Sequence, residues 1–328
     1  AGTASGTTVT NTVTLSYQVG GVGQNDVTAS NSFTVDRKIN LTVAEVGSAT
    51  TTVSPGETAA VTTFTVTNTS NATLDFALAV AQQSGGAGAH SNTDNFDVTT
   101  PTVYVDTNGN GSYDAGTDTT ASYLDEVTAD GSKTVFVVSA IPLGRATGDV
   151  AAVTLSATAR EGGAAASQGA AITETAGANT AGVDTVFADG AGATDAARDA
   201  SYSAKDDYTV SAANLTVAKV STIISDPINN STNPKMIPGA VVEYCIQISN
   251  AAGGASATNI SVSDVLPTET TYNSSFGILT GGTVSGATCS GGATGSGSYN
   301  GGTRTVSATV GTVNAGASTA VRFQVTVN

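Results

Sequence analysis

The chain has 328 residues, and its 11 Lys and Arg against 26 Asp and Glu give a net charge of −15. A surface of this sign repels phosphate backbones and anionic membranes, so the composition argues against nucleic-acid binding and favours cations as ligands. Only 11% of the residues are charged and 5% are aromatic, with no Trp, whereas Thr, Val, Ala and Gly are abundant. Because β-branched Thr and Val favour strands, we predict an all-β protein with small aliphatic cores.

The first 38 residues contain the clearest strand pattern in the chain. From residue 9 to residue 19 the odd positions are apolar, except for Asn11, and the even positions are Thr, Ser or Gln. This period of two predicts a strand with one buried face, which we interpret as a strand for assembly between subunits. The apolar positions of this predicted assembly strand are Val9, Val13, Leu15, Tyr17 and Val19.

An internal repeat organises the rest of the chain. The sequence NLTVAEV at residues 40–46 returns as NLTVAKV at residues 214–220, and each copy is followed by a Pro-Gly pair and alternating apolar runs. This rhythm is typical of a β-sandwich. We therefore predict tandem immunoglobulin-like β-sandwiches at residues 39–213 and 214–328, preceded by an N-terminal strand extension at residues 1–38.

Two regions give no sign of catalysis. Residues 161–213 are rich in Ala, Gly and Asp, and we predict an insertion or loop there, with a short helical turn between residues 195 and 207 and a solvated Asp206-Asp207 pair. His90, the only His, lies in a Gly-rich segment that we expect to be flexible. One His excludes a multi-His zinc site and a loose one argues against a catalytic triad. We predict that the chain is not an enzyme; a glycan hydrolase with two carboxylates is the enzymatic alternative.

The C-terminal copy carries a set of short motifs. They are Leu215-Thr216-Val217-Ala218-Lys219, Asp226-Pro227, Asn233-Pro234-Lys235, Ile237-Pro238-Gly239, Tyr244-Cys245 and Asp264-Val265-Leu266-Pro267. With these motifs residues 214–328 resemble the conserved-repeat surface domain family of unknown function, found in bacterial and archaeal envelope and fibre proteins. The resemblance implies an immunoglobulin-like β-sandwich in an exported surface protein, and it implies no catalytic residues.

The two cysteines, Cys245 and Cys289, both lie in this copy. An isolated pair in such a chain predicts one disulfide in an oxidising compartment, the alternative being two buried free thiols. No apolar run is long enough to span a bilayer, and the small uncharged residues at the start fit the product of signal-peptide cleavage. We therefore predict an exported protein, extracellular or at the cell surface, without membrane insertion.

One segment, residues 106–118, has the spacing of a calcium loop. Oxygen-bearing side chains occupy loop positions 1, 3, 5 and 9, and Gly occupies position 6, as in an EF-hand-like loop. The usual Glu at position 12 is missing, and we expect the Asp one place later to replace it. The alternative is an Asn- and Gly-rich turn without an ion. The predicted Ca²⁺ ligands are Asp106, Asn108, Asn110, Ser112 through its carbonyl, Asp114 and Asp118.

A covalent cross-link is a further hypothesis. Lys219, on the first strand of the C-terminal copy, would form an isopeptide bond with Asn314 or Asn328, with Glu243 as proton shuttle. The alternative, solvated surface groups, is the commoner arrangement for such residues.

Three functions compete at this point. The first is a structural subunit of an extracellular filament or surface layer, a homopolymer that assembles head-to-tail by β-strand addition. The second is an adhesin that recognises a protein or glycan on a host or neighbouring-cell surface, although the scarcity of aromatics counts against sugar stacking. The third is the hydrolase named above. Whether the N-terminal strand exchanges between subunits or folds back onto its own chain stays open.

Overall fold

The structure is a computed structural model that describes residues 2–328. These residues form 25 strands and no helix, so the predicted all-β class is confirmed. No helical segment in this part of the chain has the length and apolarity needed to cross a bilayer. The chain divides into two compact units, Ala1–Val210 and Ser211–Asn328, here called unit 1 and unit 2.

The N-terminal residues form a two-stranded antiparallel hairpin, here called the N-terminal hairpin. Its long strands pair along their whole length, from Thr8 opposite Thr34 to Leu15 opposite Val27, and two short strands form its tip. The strands are β1 (Thr8–Leu15), β2 (Gln18–Val19), β3 (Val22–Gly23) and β4 (Val27–Thr34).

Unit 1 contains a sandwich of two five-stranded sheets. The strands are β5 (Arg37–Ile39), β6 (Leu41–Glu45), β7 (Thr51–Val53), β8 (Ala60–Asn68), β9 (Leu74–Gln82), β10 (Thr99–Val105), β11 (Thr119–Thr120), β12 (Tyr123–Val127), β13 (Ser132–Ala140), β14 (Val150–Glu161), β15 (Thr185–Phe187) and β16 (Ser201–Val210). One sheet has the order β11-β10-β13-β8-β6, and the other has the order β12-β9-β14-β16-β7. The short strands β5 and β15 pair with each other in parallel.

The core of unit 1 follows from strict alternation on central strands. Every second residue of β8 is buried, and the intervening residues are half-buried. The buried face carries Phe64 and Val66, which lie opposite the inward face of the second sheet, where Phe76 and Leu155 are fully buried. Aliphatic and Phe side chains thus fill the space between the sheets, as expected for a chain without Trp.

Unit 2 is a second sandwich, with unequal sheets. Its strands are β17 (Leu215–Ser225), β18 (Val241–Asn250), β19 (Ala257–Val265), β20 (Thr270–Tyr272), β21 (Ile278–Ser285), β22 (Thr288–Ser290), β23 (Gly297–Asn300), β24 (Thr305–Val313) and β25 (Ser318–Val327). The larger sheet has the order β17-β18-β25-β21-β22, with β20 beside β25, and the smaller sheet has the order β19-β24-β23. The core contains Ile246, Leu266, Val306 and Phe323.

Each sandwich has a buried Asn at the equivalent position, and this Asn joins its two sheets. Asn68, at the end of β8, donates its side-chain amide to the carbonyl oxygens of Ala72 and Val127. Asn250, at the end of β18, does the same with Ala255 and Val313. Each amide therefore ties one sheet to the other at the turn that follows the strand. These shared bonds identify β8 with β18, and β12 with β24, as repeated elements.

The prediction for residues 161–213 is wrong over its last part. Residues 201–210 form β16, a central strand of the second sheet of unit 1, and no described residue between 195 and 207 is helical. Asp206 and Asp207 are buried in this strand rather than solvated. A buried strand with two adjacent carboxylates does not show the apolar alternation on which strand prediction depends.

The turn after β17 is built around the carboxylate of Asp226. It accepts the backbone amide hydrogens of Ile228, Asn229 and Lys235 and the side-chain amide of Asn229. The backbone hydrogen bond from Asn229, together with the others, lowers the pKa of Asp226 to about 2. The carboxylate form is therefore the one that the folded turn requires.

This turn makes the stability of unit 2 depend on pH. The contribution of a depressed carboxyl pKa is present above the unfolded value of about 3.9 and is lost as the pH falls towards about 2. We expect the melting temperature of unit 2 in the wild type to exceed that of Asp226→Asn at pH 6, and the difference to vanish near pH 2, in scanning calorimetry. A difference that is constant over this range would contradict the account.

Candidate functional site: a two-faced hairpin and an open sandwich edge

The N-terminal hairpin has one apolar and one polar face. Its register places Val9 opposite Phe33, Val13 opposite Ala29, and Leu15 opposite Val27, so these side chains share one face, which Asn11 and Asn31 interrupt. The other face carries only hydroxyl side chains, which are Thr8, Thr10, Thr12, Thr14, Thr28, Ser30, Ser32 and Thr34. Such a division is what a strand pair needs when one face is to be buried and the other solvated.

The apolar face of this hairpin is exposed. Val13, Leu15 and Phe33 are 60–65% exposed, and Tyr17 and Val19 near the tip are also uncovered. Strands β1 and β4 pair with each other alone, and neither joins a sheet of unit 1. If the N-terminal strand folded back onto its own chain, the sandwich of unit 1 would bury its apolar face. The structure does not show this arrangement, because that face is exposed.

The base of the hairpin is fixed to unit 1. Asn71, in the turn between β8 and β9, donates its side-chain amide to the carbonyl oxygens of Thr3 and Asp36. The backbone carbonyl oxygen of Asn71 accepts the backbone amide hydrogen of Ser5. Asn71 thus holds the chain on both sides of the hairpin, whereas the apolar face of the hairpin stays exposed.

The internal repeat shows where unit 2 is open. Leu41 and Val43 on β6 are 0% and 4% exposed, whereas their counterparts Leu215 and Val217 on β17 are 44% and 73% exposed. The local sequence is the same, and both strands pair with the equivalent neighbour in their sheets. The difference must therefore come from what covers the inward face of the strand.

Two strands of unit 1 have no counterpart in the described part of unit 2. In unit 1, β9 pairs with β12 on one side and with β14 on the other, and β14 pairs with β16, which packs against β6. In unit 2, β19 pairs with β24 alone, so its second edge is free. An open groove of about 350 Å³ lies between this edge and β17, lined by Leu215, Val217, Ile246, Ile248, Ile260 and Val262.

The isopeptide hypothesis is wrong for the residues predicted. Lys219 pairs with Asp264 on β19 at 2.5 Å and lies over the ring of Tyr244. Glu243 is held by Arg322 on β25, with their closest atoms 2.8 Å apart. The two Asn residues predicted to take part also form other hydrogen bonds. Asn314 bonds to Ser256, and Asn328 bonds to Thr268 and Thr271. The Lys219–Asp264 pair instead joins the two edge strands at the end of the open groove.

The predicted disulfide is present. Cys245 on β18 and Cys289 on β22 are bonded, with their Cα atoms 6.0 Å apart, which is within the usual range. These strands are not neighbours in the sheet, so the bond holds the β21–β22 hairpin across β25. A disulfide is typical of a protein that folds in an oxidising compartment.

The side chains of the predicted calcium loop converge on one carboxylate. Asn108 and Asn110 donate their amides to the same oxygen of Asp114, at 2.8 and 2.6 Å. Asp106 accepts the backbone amide hydrogens of Gly109 and Gly111. The amide hydrogen bonds from Asn108 and Asn110 hold the pKa of Asp114 below its usual value. A rotation of either amide by half a turn would present its oxygen to the same point.

Asp118, the last of the predicted Ca²⁺ ligands, also shapes the loop. It is buried, and its carboxylate accepts the backbone amide hydrogens of Thr107 and Asp114. It thus clamps the base of the loop between β10 and β11. Ser112 donates its backbone amide hydrogen to the side-chain oxygen of Asn110. The backbone carbonyl of Ser112 takes no part in this turn.

A second polar cluster was missed at the sequence level. The expectation that His90 lies in a flexible segment is wrong, because its backbone amide and Nδ1 both bond to Asp207, at 2.9 and 3.0 Å. Its Nε2 lies 3.9 Å from Glu45. The close fit requires Gly88, where a Cβ atom would lie 2.5 Å from a carboxylate oxygen of Asp207.

Burial and mutual charge shift the pKa values in this cluster. Burial raises the pKa of Asp206 to about 7. Burial alone would lower the pKa of His90, but the hydrogen bond to Asp207 and the surrounding carboxylates raise it. Burial opposes ionisation of Asp207, yet hydrogen bonds from Thr50 and His90 keep its pKa below the usual value. Burial thus opposes the charged form of Asp206, and the surrounding carboxylates favour the protonated form of His90.

The fold defines an all-β protein with two β-sandwiches in tandem. No family model and no curated protein matches the sequence. Solved structures that are similar include the C-terminal domain of the Streptococcus agalactiae antigen I/II polypeptide BspA, at 10% identity over 88% of this chain and 91% of that chain, with a TM-score of 0.37. The corresponding domain of the Streptococcus pyogenes antigen I/II-family protein AspA has 11% identity over 88% and 91%, with a TM-score of 0.35. At such TM-scores the likeness assigns no function.

Proposed function

We propose that this chain is a structural subunit of an extracellular filament, in which the N-terminal hairpin of one subunit completes unit 2 of the next. One observation carries the proposal. Unit 2 lacks counterparts of the two antiparallel strands that close unit 1, and the same chain carries two antiparallel strands that close nothing.

The dimensions and chemistry of the two surfaces are complementary. The hairpin strands have 8 residues each, and the free edge of β19 has 9. Pairing one hairpin strand with β19 would satisfy the unpaired backbone groups of both edges. The apolar face of the hairpin would then cover Leu215 and Val217, and the Thr and Ser face would become the solvated outer surface of the sheet.

Such a contact is head-to-tail. The donor lies in unit 1 and the acceptor lies in unit 2, so each subunit retains one free end after it binds a neighbour. A heterologous contact that does not close into a ring propagates as a filament. The disulfide and the sparse charge fit an exported subunit that works outside the cell.

The test of this function is direct imaging of the full-length purified chain. We expect electron microscopy to show unbranched filaments with a repeat of one subunit, and sedimentation to show a mass that grows with concentration. A chain that stays monomeric at every concentration would overturn the proposal and would favour the adhesin hypothesis.

We further propose that residues 106–118 bind Ca²⁺ and order unit 1. The support is the convergence of Asn108 and Asn110 on Asp114, in a loop whose base Asp118 fixes. Oxygen ligands in this arrangement suit a hard dication. The ion would turn both amide oxygens inward and neutralise Asp114.

Calcium should therefore stabilise unit 1 by mass action. At a free Ca²⁺ concentration 100 times the Kd we expect the free energy of unfolding to rise by about 2.7 kcal/mol. Calorimetry with Ca²⁺ and with EGTA measures this change. Asp114→Ala should abolish it, whereas Ser112→Ala, the matched control, should retain it because Ser112 would contribute only its backbone carbonyl. An EGTA-insensitive wild type would rule the ion out.

A further inference from the structure

The cluster around His90 has the composition of a metal site. Glu45 ends β6, His90 lies in the connection between β9 and β10, and Asp206 lies in β16. One donor atom from each of these three residues lies within 4.8 Å of the other two. A tetrahedral ion with bonds of about 2.1 Å needs donor atoms roughly 3.4 Å apart, so small side-chain rotations would complete the geometry.

The imidazole is oriented for ligation by a fourth residue. Asp207 accepts a hydrogen bond from Nδ1 at 3.0 Å, and it also accepts the backbone amide hydrogen of His90. In the neutral form of the ring, which is the form that binds a metal, the proton is therefore at Nδ1 and the lone pair of Nε2 faces Glu45. A carboxylate behind a ligating His in this way fixes the tautomer and raises the basicity of the ligand.

The cluster has more carboxyl groups than basic groups. Three carboxylates, from Glu45, Asp206 and Asp207, surround one imidazole, and no Lys or Arg side chain makes an ion pair with them in the described chain. Asp206 is 3% exposed, and the one hydrogen bond its carboxylate accepts from a described residue comes from the backbone amide of Asp207. Burying a carboxylate without a cation is costly, and a bound dication removes that cost.

The internal repeat gives an independent comparison. The position of Glu45 in unit 1 is occupied by Lys219 in unit 2, where the ammonium pairs with Asp264 on the facing sheet. Unit 2 thus supplies its own cation at this position. Unit 1 has a third carboxylate there instead, which leaves room for a cation from solution.

We propose that Glu45, His90 and Asp206 bind one divalent cation that accepts both imidazole and carboxylate ligands, of which Zn²⁺ is the representative ion. The ion would fasten the connection around His90 to strands β6 and β16, and water would complete its coordination. Both cysteines are in the disulfide, so no thiolate competes for the metal. This site is independent of filament assembly.

Calorimetric titration of the metal-stripped full-length chain with Zn²⁺ tests the site. Saturating Ca²⁺ is kept present so that residues 106–118 do not take the ion. We expect one Zn²⁺ per chain, no binding to His90→Gln or Asp206→Asn, and affinity lowered about 10- to 100-fold in Asp207→Asn, which keeps all three ligands. The control is Glu174→Gln, which removes an exposed ion pair with Arg198 elsewhere in unit 1. This variant should bind Zn²⁺ as the wild type does.

Folding does not confuse this test. Asn has the shape of Asp without its charge and can accept the same backbone hydrogen bond, so Asp206→Asn should melt no lower than the wild type in the absence of metal. Co²⁺ in place of Zn²⁺ should give the visible absorption of a tetrahedral site, lost in the same variant. Absence of binding to the wild type, or equal affinity in wild type, His90→Gln and Asp206→Asn, would overturn the proposal.

Discussion

Replacing Val13 by Asp is expected to abolish polymerisation and to leave the subunit folded. Val13 is 63% exposed in the single chain, so the fold of the subunit does not depend on it. In the completed sandwich it would lie in the core of the neighbour, where an unpaired carboxylate costs several kcal/mol. Since each 1.4 kcal/mol changes an association constant tenfold, a cost of about 4 kcal/mol weakens assembly roughly a thousandfold.

The matched control places the same charge on the other face of the same strand. Thr12 precedes Val13 and lies on the hydroxyl face, which the proposal leaves in contact with water. Thr12→Asp should therefore polymerise nearly as the wild type does, as judged by sedimentation and electron microscopy. If both variants polymerise, or if neither does, the apolar face is not the contact.

Loss of the disulfide is expected to have the largest effect on the stability of unit 2. In the chain-entropy model, closing a loop of 44 residues contributes about 4 kcal/mol to the free energy of unfolding. The double variant Cys245→Ala/Cys289→Ala should lose roughly this amount in urea unfolding. The transition of unit 1 serves as an internal control, because the bond lies wholly within unit 2.

A second measurement checks the bond itself. Wild-type protein treated with a thiol reductant should unfold as the double variant does. Intact mass after alkylation should show no modified cysteine without reduction and two with it. Two alkylated cysteines in the unreduced protein would show that the bond is absent, and unchanged urea unfolding would show that it carries no stability.

The sequence was sufficient where local pattern determines local structure. Alternation over residues 9–19 predicted a strand, and it formed β1 with the tip that follows it. The repeat at Leu41 and Leu215 predicted two similar sandwiches, and the shared Asn68 and Asn250 bonds show how far the likeness extends. The Cys pair could be predicted because one disulfide is the usual state of two such residues in an oxidising compartment.

The buried polar strand could not be predicted in this way. Strand β16 carries Asp206 and Asp207 in the interior, where the rule of apolar alternation expects hydrocarbon side chains. Its polar groups are accommodated by His90, 117 residues earlier in the chain. A contact over that separation leaves no periodic signal, so both the strand and the cluster were missed.

The open groove is invisible to sequence for a related reason. Leu215 and Val217 have the same neighbours along the chain as Leu41 and Val43, and all four read as buried core positions. Their exposure differs because two strands, β14 and β16, cover the first pair. The sequence pattern predicts that a residue is buried, but it does not indicate which segment or which subunit buries it.

Mixing two assembly-defective variants tests the central claim most directly. Val13→Asp keeps a working groove in unit 2, and Val217→Asp, a change at a position 73% exposed, keeps a working hairpin. Each variant alone should be monomeric, and an equal mixture should form a heterodimer with one copy of each and nothing longer, in sedimentation and native mass spectrometry. A mixture that stays monomeric, or that forms long filaments, would contradict completion of unit 2 by the hairpin of the next subunit.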